Sequence, residues 1–178
     1  MMVRQDHLGP RRLTQYTFSA KILKGRTMED VAAILARAKQ RALENSLPYA
    51  GALLPKEAFA LLKEVPGATL VDVRTQAEWY WVGRVPGAVM VEWSTYPGGA
   101  RTPDFLGQLQ AAVPGTAAPV MFVCRSGHRS HHAAAQATSA GYPNCFNVLE
   151  GFEGDRDALG HRNTVGGWRV AGLPWEQG

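Results

Sequence analysis

The chain has 178 residues, 46% of them hydrophobic, which suffices for one packed domain without disulfide or metal staples, since folding at this size buries about 70% of the unfolded surface. Two cysteines, Cys124 and Cys145, exclude a disulfide framework and fit the reducing cytoplasm. No apolar run approaches the roughly 20 residues of a membrane span, no apolar stretch ending in small residues marks a secretory signal, and no membrane partner is expected.

The net charge of +4 is unevenly placed. Residues 1–41 hold nine Lys/Arg against three Asp/Glu, a balance of +6, and the remainder carries −2. Residues 1–26 therefore read as a basic, solvated arm, with the acid-poor character also seen in organelle transit peptides. No aromatic residues interleave with the cations as on a stacking surface, so no nucleic-acid partner is expected.

Thr27-Met28-Glu29-Asp30 reads as a capping box opening a helix over residues 27–47. Val31, Leu35, Ala38 and Ala42 fall on one face of it, with Ile34 beside them. Pro48 disfavours helical geometry in the residue before it and ends the segment. The apolar stripe must pack on the body or on a second copy, so a homodimer stays open. From residue 48 onward short apolar runs alternate with helical segments. A short piece at Gly51–Leu54 precedes a helix starting near Pro55. Strands are predicted at Thr69–Val73, Ala88–Val91, Val120–Val123 and Cys145–Leu149. Helices are predicted at Thr75–Val82, at Pro103–Val113 with Phe105, Leu106 and Leu109 inward, and at Arg129–Ala140. This alternation predicts an α/β fold with a central, mainly parallel sheet flanked by helices, preceded by an N-terminal helical extension. Sites in such sheets form at the carboxyl ends of strands, where Cys124 lies.

Cys124-Arg125-Ser126-Gly127-His128-Arg129-Ser130 runs from a buried strand through a polar turn into a helix. Successive N–H groups in such a turn, with those of the helix start, form an anion cradle that favours a thiolate at its base. A buried, inert cysteine closing a core strand is the bland alternative, and the two arginines that follow argue against it.

The loop resembles the active-site loop of rhodanese-like sulfurtransferases. Asp72-Val73-Arg74-Thr75-Gln76-Ala77-Glu78-Trp79 is similar to that family's Asp-x-Arg-x-x-x-Glu-aromatic signature. Gly83-Arg84-Val85-Pro86-Gly87-Ala88 is similar to its Gly-His-Ile-x-Gly-Ala segment, with Arg84 in place of His. Gly167-Trp168-Arg169-Val170-Ala171-Gly172-Leu173-Pro174 looks like its terminal helix and turn. The matches keep the family's order over residues 48–178. The resemblance implies a three-layer rhodanese-like fold and a Cys124 persulfide, formed from thiosulfate or a similar small anionic donor and discharged to cyanide, a thiol or a protein acceptor. No metal or organic cofactor is implied. Substrate binding falls to Arg125, Ser126, Gly127, His128, Arg129 and Ser130, with Arg125 as the more direct contact of the two arginines. Related phosphatases place five residues between cysteine and arginine. Here four separate Cys124 from Arg129, and Val123 stands where a histidine is expected, which favours sulfur over phosphate or arsenate. A non-catalytic carrier or interaction module working through the basic arm is the alternative from another class.

Glu78 is explained by a capping box with Thr75, and Asp72 and Arg74 by a buried ion pair that holds the loop in shape. His128, His131 and His132 lie at helical spacing, but no cysteine or carboxylate completes a metal shell; His128 is read as lining the loop, and His131 and His132 as helix surface. Cys145 reads as a core residue, and the five tryptophans as core and interface packing. Residues 153–164 form a polar insertion relative to shorter family members. It leaves the last strand on the rim that carries Cys124, and it is expected to border the site and narrow the choice of acceptor.

Overall fold

In the computed structural model, residues 17–115 and 117–178 are described, with side chains from residue 30 onward. Five strands form one parallel sheet: β1 (Gly51–Leu53), β2 (Thr69–Asp72), β3 (Val89–Met90), β4 (Val120–Val123) and β5 (Cys145–Val148), in the order β1-β5-β4-β2-β3. The helices are α1 (Thr17–Glu44), α2 (Pro55–Glu64), α3 (Gln76–Trp81), α4 (Phe105–Ala112) and α5 (His128–Ser139).

Period-two alternation along the strands divides the core into two layers. Val71, Val73, Val120 and Phe122 join Phe105 and Leu109 of α4 and Ala133, Ala134 and Ala137 of α5 on one face. Leu53, Leu70, Met121, Val123 and Val148 join Ala58 and Leu61 of α2 and Val31, Ile34 and Ala38 of α1 on the other. Helices thus cover both faces, and β4 occupies the centre. Cys124 continues the alternation of β4 and belongs to the α4/α5 side.

The N-terminal helix begins ten residues earlier than its capping motif predicts, at Thr17 rather than Thr27. Residues 17–26 contain no proline, and Gly25 costs only about 1 kcal/mol in a helix interior, so the main-chain ladder runs through Thr27-Met28-Glu29-Asp30. The last ten residues of the predicted arm are therefore helical, and residues 1–16 lie outside the described residues. The helix packs on its own body. Val31, Ile34, Ala38 and Ala42 are buried, and Leu35 is half-buried. Glu57 of α2, itself buried, receives Arg41 at 2.6 Å and Arg37 at 2.9 Å, while Arg41 also donates to the Ala52 carbonyl at 2.8 Å.

The predicted terminal helix is not a helix. Residues 168–172 form turns, held by Ala171 N–H to Gly167 O and Leu173 N–H to Trp168 O, because Gly167, Gly172 and Pro174 leave too short a stretch for a stable one. The segment is nonetheless fixed: Trp168 is wholly buried, and Arg84, in the family's histidine position, pairs in both backbone directions with Glu176. Of the tryptophans, Trp93 and Trp168 are core, whereas Trp81 is 71% exposed.

Candidate active site

β4 delivers Cys124 to the carboxyl edge of the sheet, at the point where neighbouring strands lead off in opposite chain directions, a common position for sites in parallel sheets. Its thiol is 1% exposed, and the Ser130 hydroxyl donates to Sγ at 3.3 Å. Gly127 has φ 90°, a left-handed conformation that lets the chain turn directly into α5.

The loop's carbonyls are tied down on its outer side. Phe152 N–H donates to Cys124 O at 2.7 Å and Glu153 N–H to Arg125 O at 2.9 Å. The Gly127 carbonyl accepts from His131 N–H at 3.2 Å and from the Asn147 side-chain amide at 3.2 Å. A planar trans peptide points its N–H opposite its carbonyl, so these bonds turn the loop amides the other way. Among the described residues, the N–H groups of Arg125 through Ser130 donate to no protein acceptor. Six N–H groups without a protein acceptor thus follow one buried sulfur, and a turn of this kind is suited to hold an anion.

Gly151 keeps this arrangement closed. Its φ is 62°, and a Cβ there would lie 2.4 Å from Cys124 O and 2.6 Å from Ser126 N. Gly151→Ala is therefore expected to cost about 2–4 kcal/mol, combining the left-handed penalty with overpacking, and to push the loop off its register. Urea unfolding checks the first part and thiosulfate loading of Cys124 the second; wild-type values in both would contradict the contact.

Asp72 and Arg74 are both wholly buried and form the expected ion pair, with Nη2 to Oδ2 at 2.6 Å and Nε to Oδ1 at 3.0 Å. Arg74 does not bond to the cysteine loop. It donates to Gly83 O at 2.7 Å and lies 4.0 Å over the ring of Phe152. Its hold on the loop is indirect, through the residue whose amide binds Cys124 O.

Glu78 does cap α3 with Thr75, as the motif predicts. It has a second role that sequence does not reveal. Its carboxylate takes the fork of Arg129 at 2.6 and 2.8 Å, across 51 positions. Burial pushes the Glu78 carboxyl up, but the hydrogen bonds from Arg129 and the Thr75 amide outweigh it and hold the pKa down to about 2. Burial lowers Arg129, and its bonds to Glu78 more than restore it. A folded pKa of about 2 against 4.5 unfolded gives stabilisation that is present above pH 4.5 and lost as pH falls toward 2. We expect Glu78→Gln to cost on the order of 3 kcal/mol at pH 7, with the gap to wild type closing between pH 4.5 and 2 in urea titrations.

The loop residues assigned to substrate binding are split between two cavities. One, of about 520 Å³, is lined by Arg125 and Arg129 with Thr75, Glu78, Tyr96, Glu153 and Arg162. The other, of about 480 Å³, is lined by Ser126, Gly127 and His128 with Tyr49, His131, Asn147 and Glu150. Ser130 lines neither and touches the sulfur itself. His131, expected on the helix surface, is half-buried, with Nδ1 2.7 Å from the Tyr49 hydroxyl, because the segment after α1 folds back over α5. His132 is exposed, as expected. Cys145 is a core cysteine whose thiol burial pushes up to about 11. The polar insertion reaches the site: Glu153 and Arg162 line the same cavity as Arg125.

The model of the rhodanese-like domain matches residues 54–158. The chain belongs to the rhodanese-like domain family. The Rickettsia conorii protein RC0915 is 36% identical over 127 residues, covering 67% of this chain and 92% of its own. The crystal structure of Rv0390 from M. tuberculosis is similar at 47% identity and a TM-score of 0.68, covering 73% of this chain and 99% of that one. A thiosulfate sulfurtransferase from Pseudomonas aeruginosa shares the rhodanese-like fold at 22% identity and a TM-score of 0.52, covering 82% of this chain and 23% of that one. No helix among the described residues is long and apolar enough to cross a membrane.

Proposed function

We propose that this rhodanese-like domain is a sulfurtransferase working through a Cys124 persulfide. The observation that carries the reading is the buried Sγ of Cys124 at the head of a turn whose six following N–H groups meet no acceptor among the described residues. The Cys124 thiolate attacks the outer sulfur of thiosulfate or a similar anionic donor. A new S–S bond forms, the donor's S–S bond breaks, and its electron pair leaves on sulfite. The free amides hold the persulfide anion, and Ser130 bonds to the inner sulfur. An acceptor, cyanide or a thiol, then takes the outer sulfur and returns the electron pair to Cys124. Arg125 carries no ion pair among the described residues and is the cation that attracts the donor, whereas Arg129 is neutralised by Glu78.

That pairing also counts against phosphoryl chemistry. A phosphatase of related fold needs an arginine fork on the transferred oxyanion, and the fork of Arg129 already holds a carboxylate bidentately. The test is steady-state turnover with thiosulfate and cyanide, following sulfite and thiocyanate together. Equal release of both products is expected. Hydrolysis of an aryl phosphate without sulfite release would overturn the reading. Loading without turnover would favour a persulfide carrier.

A further inference from the structure

We infer that the sulfur acceptor is an amino-acid-type thiol, carrying both a carboxylate and an ammonium group, and that Arg162 and Glu153 of the insertion select it. The inference rests on the sulfurtransferase reading above and adds the acceptor's class to it.

The cavity beside Arg125 holds about 520 Å³, within the range that encloses organic ligands and far more than thiosulfate or cyanide fills. Its charges are arranged in a particular way. Arg129 and Glu78 also line it, but they cancel each other in a bidentate pair. Arg125, Arg162 and Glu153 line it without an ion pair to any described residue. Two free cations and one free anion around a single space, with Ala77 and Val82 as an apolar wall, complement a zwitterion better than a simple anion.

Both selecting side chains come from the insertion, and its backbone is fixed rather than loose. Arg162 Nη1 donates to the Gly154 carbonyl, Asn163 N–H to Glu153 O at 2.8 Å, and Gly154 N–H to Glu150 O at 2.9 Å. The Asp157 carboxylate accepts from the Leu159 and His161 amides at 2.9 and 2.8 Å. A guanidinium held in place loses little freedom when it takes a carboxylate, which is how selectivity is gained over a solvated arginine. In the reaction the acceptor thiolate attacks the outer persulfide sulfur. The S–S bond to Cys124 breaks, its electron pair returns to Sγ, and the transferred sulfur leaves as the anionic end of the acceptor persulfide.

The test separates loading from discharge. Cys124 is loaded with thiosulfate, desalted, and mixed with cysteine, 3-mercaptopropionate, cysteamine or 2-mercaptoethanol while intact mass follows loss of the sulfur. Each rate is divided by that of 2-mercaptoethanol in the same variant, so a general loss of activity or folding cancels. Arg162→Gln is expected to lower the cysteine and 3-mercaptopropionate ratios roughly tenfold relative to wild type, as for loss of a charge-assisted hydrogen bond. Arg162→Lys should fall between the two. Glu153→Gln should lower the ratios for cysteine and cysteamine while sparing 3-mercaptopropionate. Ratios that match wild type in Arg162→Gln and Glu153→Gln overturn the acceptor class while leaving sulfur transfer standing. Failure of wild type to load overturns both.

Discussion

In Cys124→Ser the expected result is complete loss of sulfur transfer from a protein that still folds. The change replaces one atom at a site 1% exposed, and the new hydroxyl keeps a hydrogen-bond partner in Ser130, whose oxygen lies 3.3 Å from the sulfur in the wild type. Stability should therefore change by no more than about 1–2 kcal/mol. The chemistry, by contrast, has no second route. Cys145 is packed in the core with its thiol pushed up to about 11 by burial, so it offers almost no thiolate near neutral pH. Turnover should fall to background, roughly three orders of magnitude or more, as for loss of a covalent nucleophile. Ser130→Ala makes the graded counterpart. It removes the hydroxyl bonded to Sγ and should slow loading by about tenfold with the nucleophile in place. Measurable wild-type-like turnover in Cys124→Ser would place the nucleophile elsewhere.

Asp72→Asn carries the largest expected effect on stability. Asp72 and Arg74 are wholly buried, and the carboxylate accepts from the Arg74 backbone amide, Nε and Nη2. Arginine does not shed its charge, so removing the carboxylate leaves a buried cation with no counter-ion, supported by the neutral amide oxygen of the substituted side chain, the Gly83 carbonyl and the Phe152 ring. Breaking such a pair costs about 3–5 kcal/mol, a large part of the total stability of a domain this size. The double variant Asp72→Leu with Arg74→Met removes both charges and should recover much of that loss, because a buried pair contributes little beyond an apolar replacement of similar volume. Urea unfolding of the wild type, single and double variants forms the cycle. If the double variant is as unstable as the single, the pair does more for the fold than mutual neutralisation.

The range of each interaction decides whether it is legible in the sequence. β4 announces itself as an unbroken apolar run, and β2 and β5 as runs broken only by Thr69, Asp72 and Asn147, because a parallel sheet covered on both faces buries nearly every residue along its strands. α3 is legible from Thr75 and Glu78, three residues apart, because a capping box is local. The same rule misplaces the start of α1, where a capping pattern inside a helix loses to the continuing ladder. Cys124 stands out because its strand end, its polar turn and the family motifs coincide. The features that shape its surroundings do not stand out. Arg129 meets Glu78 across 51 positions, and Gly151 matters because a different segment passes against it. Neither leaves a local pattern. The insertion was visible as extra polar chain on the right rim, but only the folded arrangement puts Arg162 and Glu153 in the cavity with Arg125. His131 illustrates the converse error: a histidine on a helix reads as surface until the segment carrying Tyr49 folds over it.

Intact-mass analysis after brief treatment with thiosulfate shows whether Cys124 accepts a sulfur atom. The wild-type protein should gain the mass of a single sulfur, with the added atom located on the peptide containing Cys124 and lost again on addition of cyanide. Cys124→Ser should gain nothing under the same treatment. An unchanged wild-type mass, or a gain that persists in Cys124→Ser, would rule out a persulfide at Cys124.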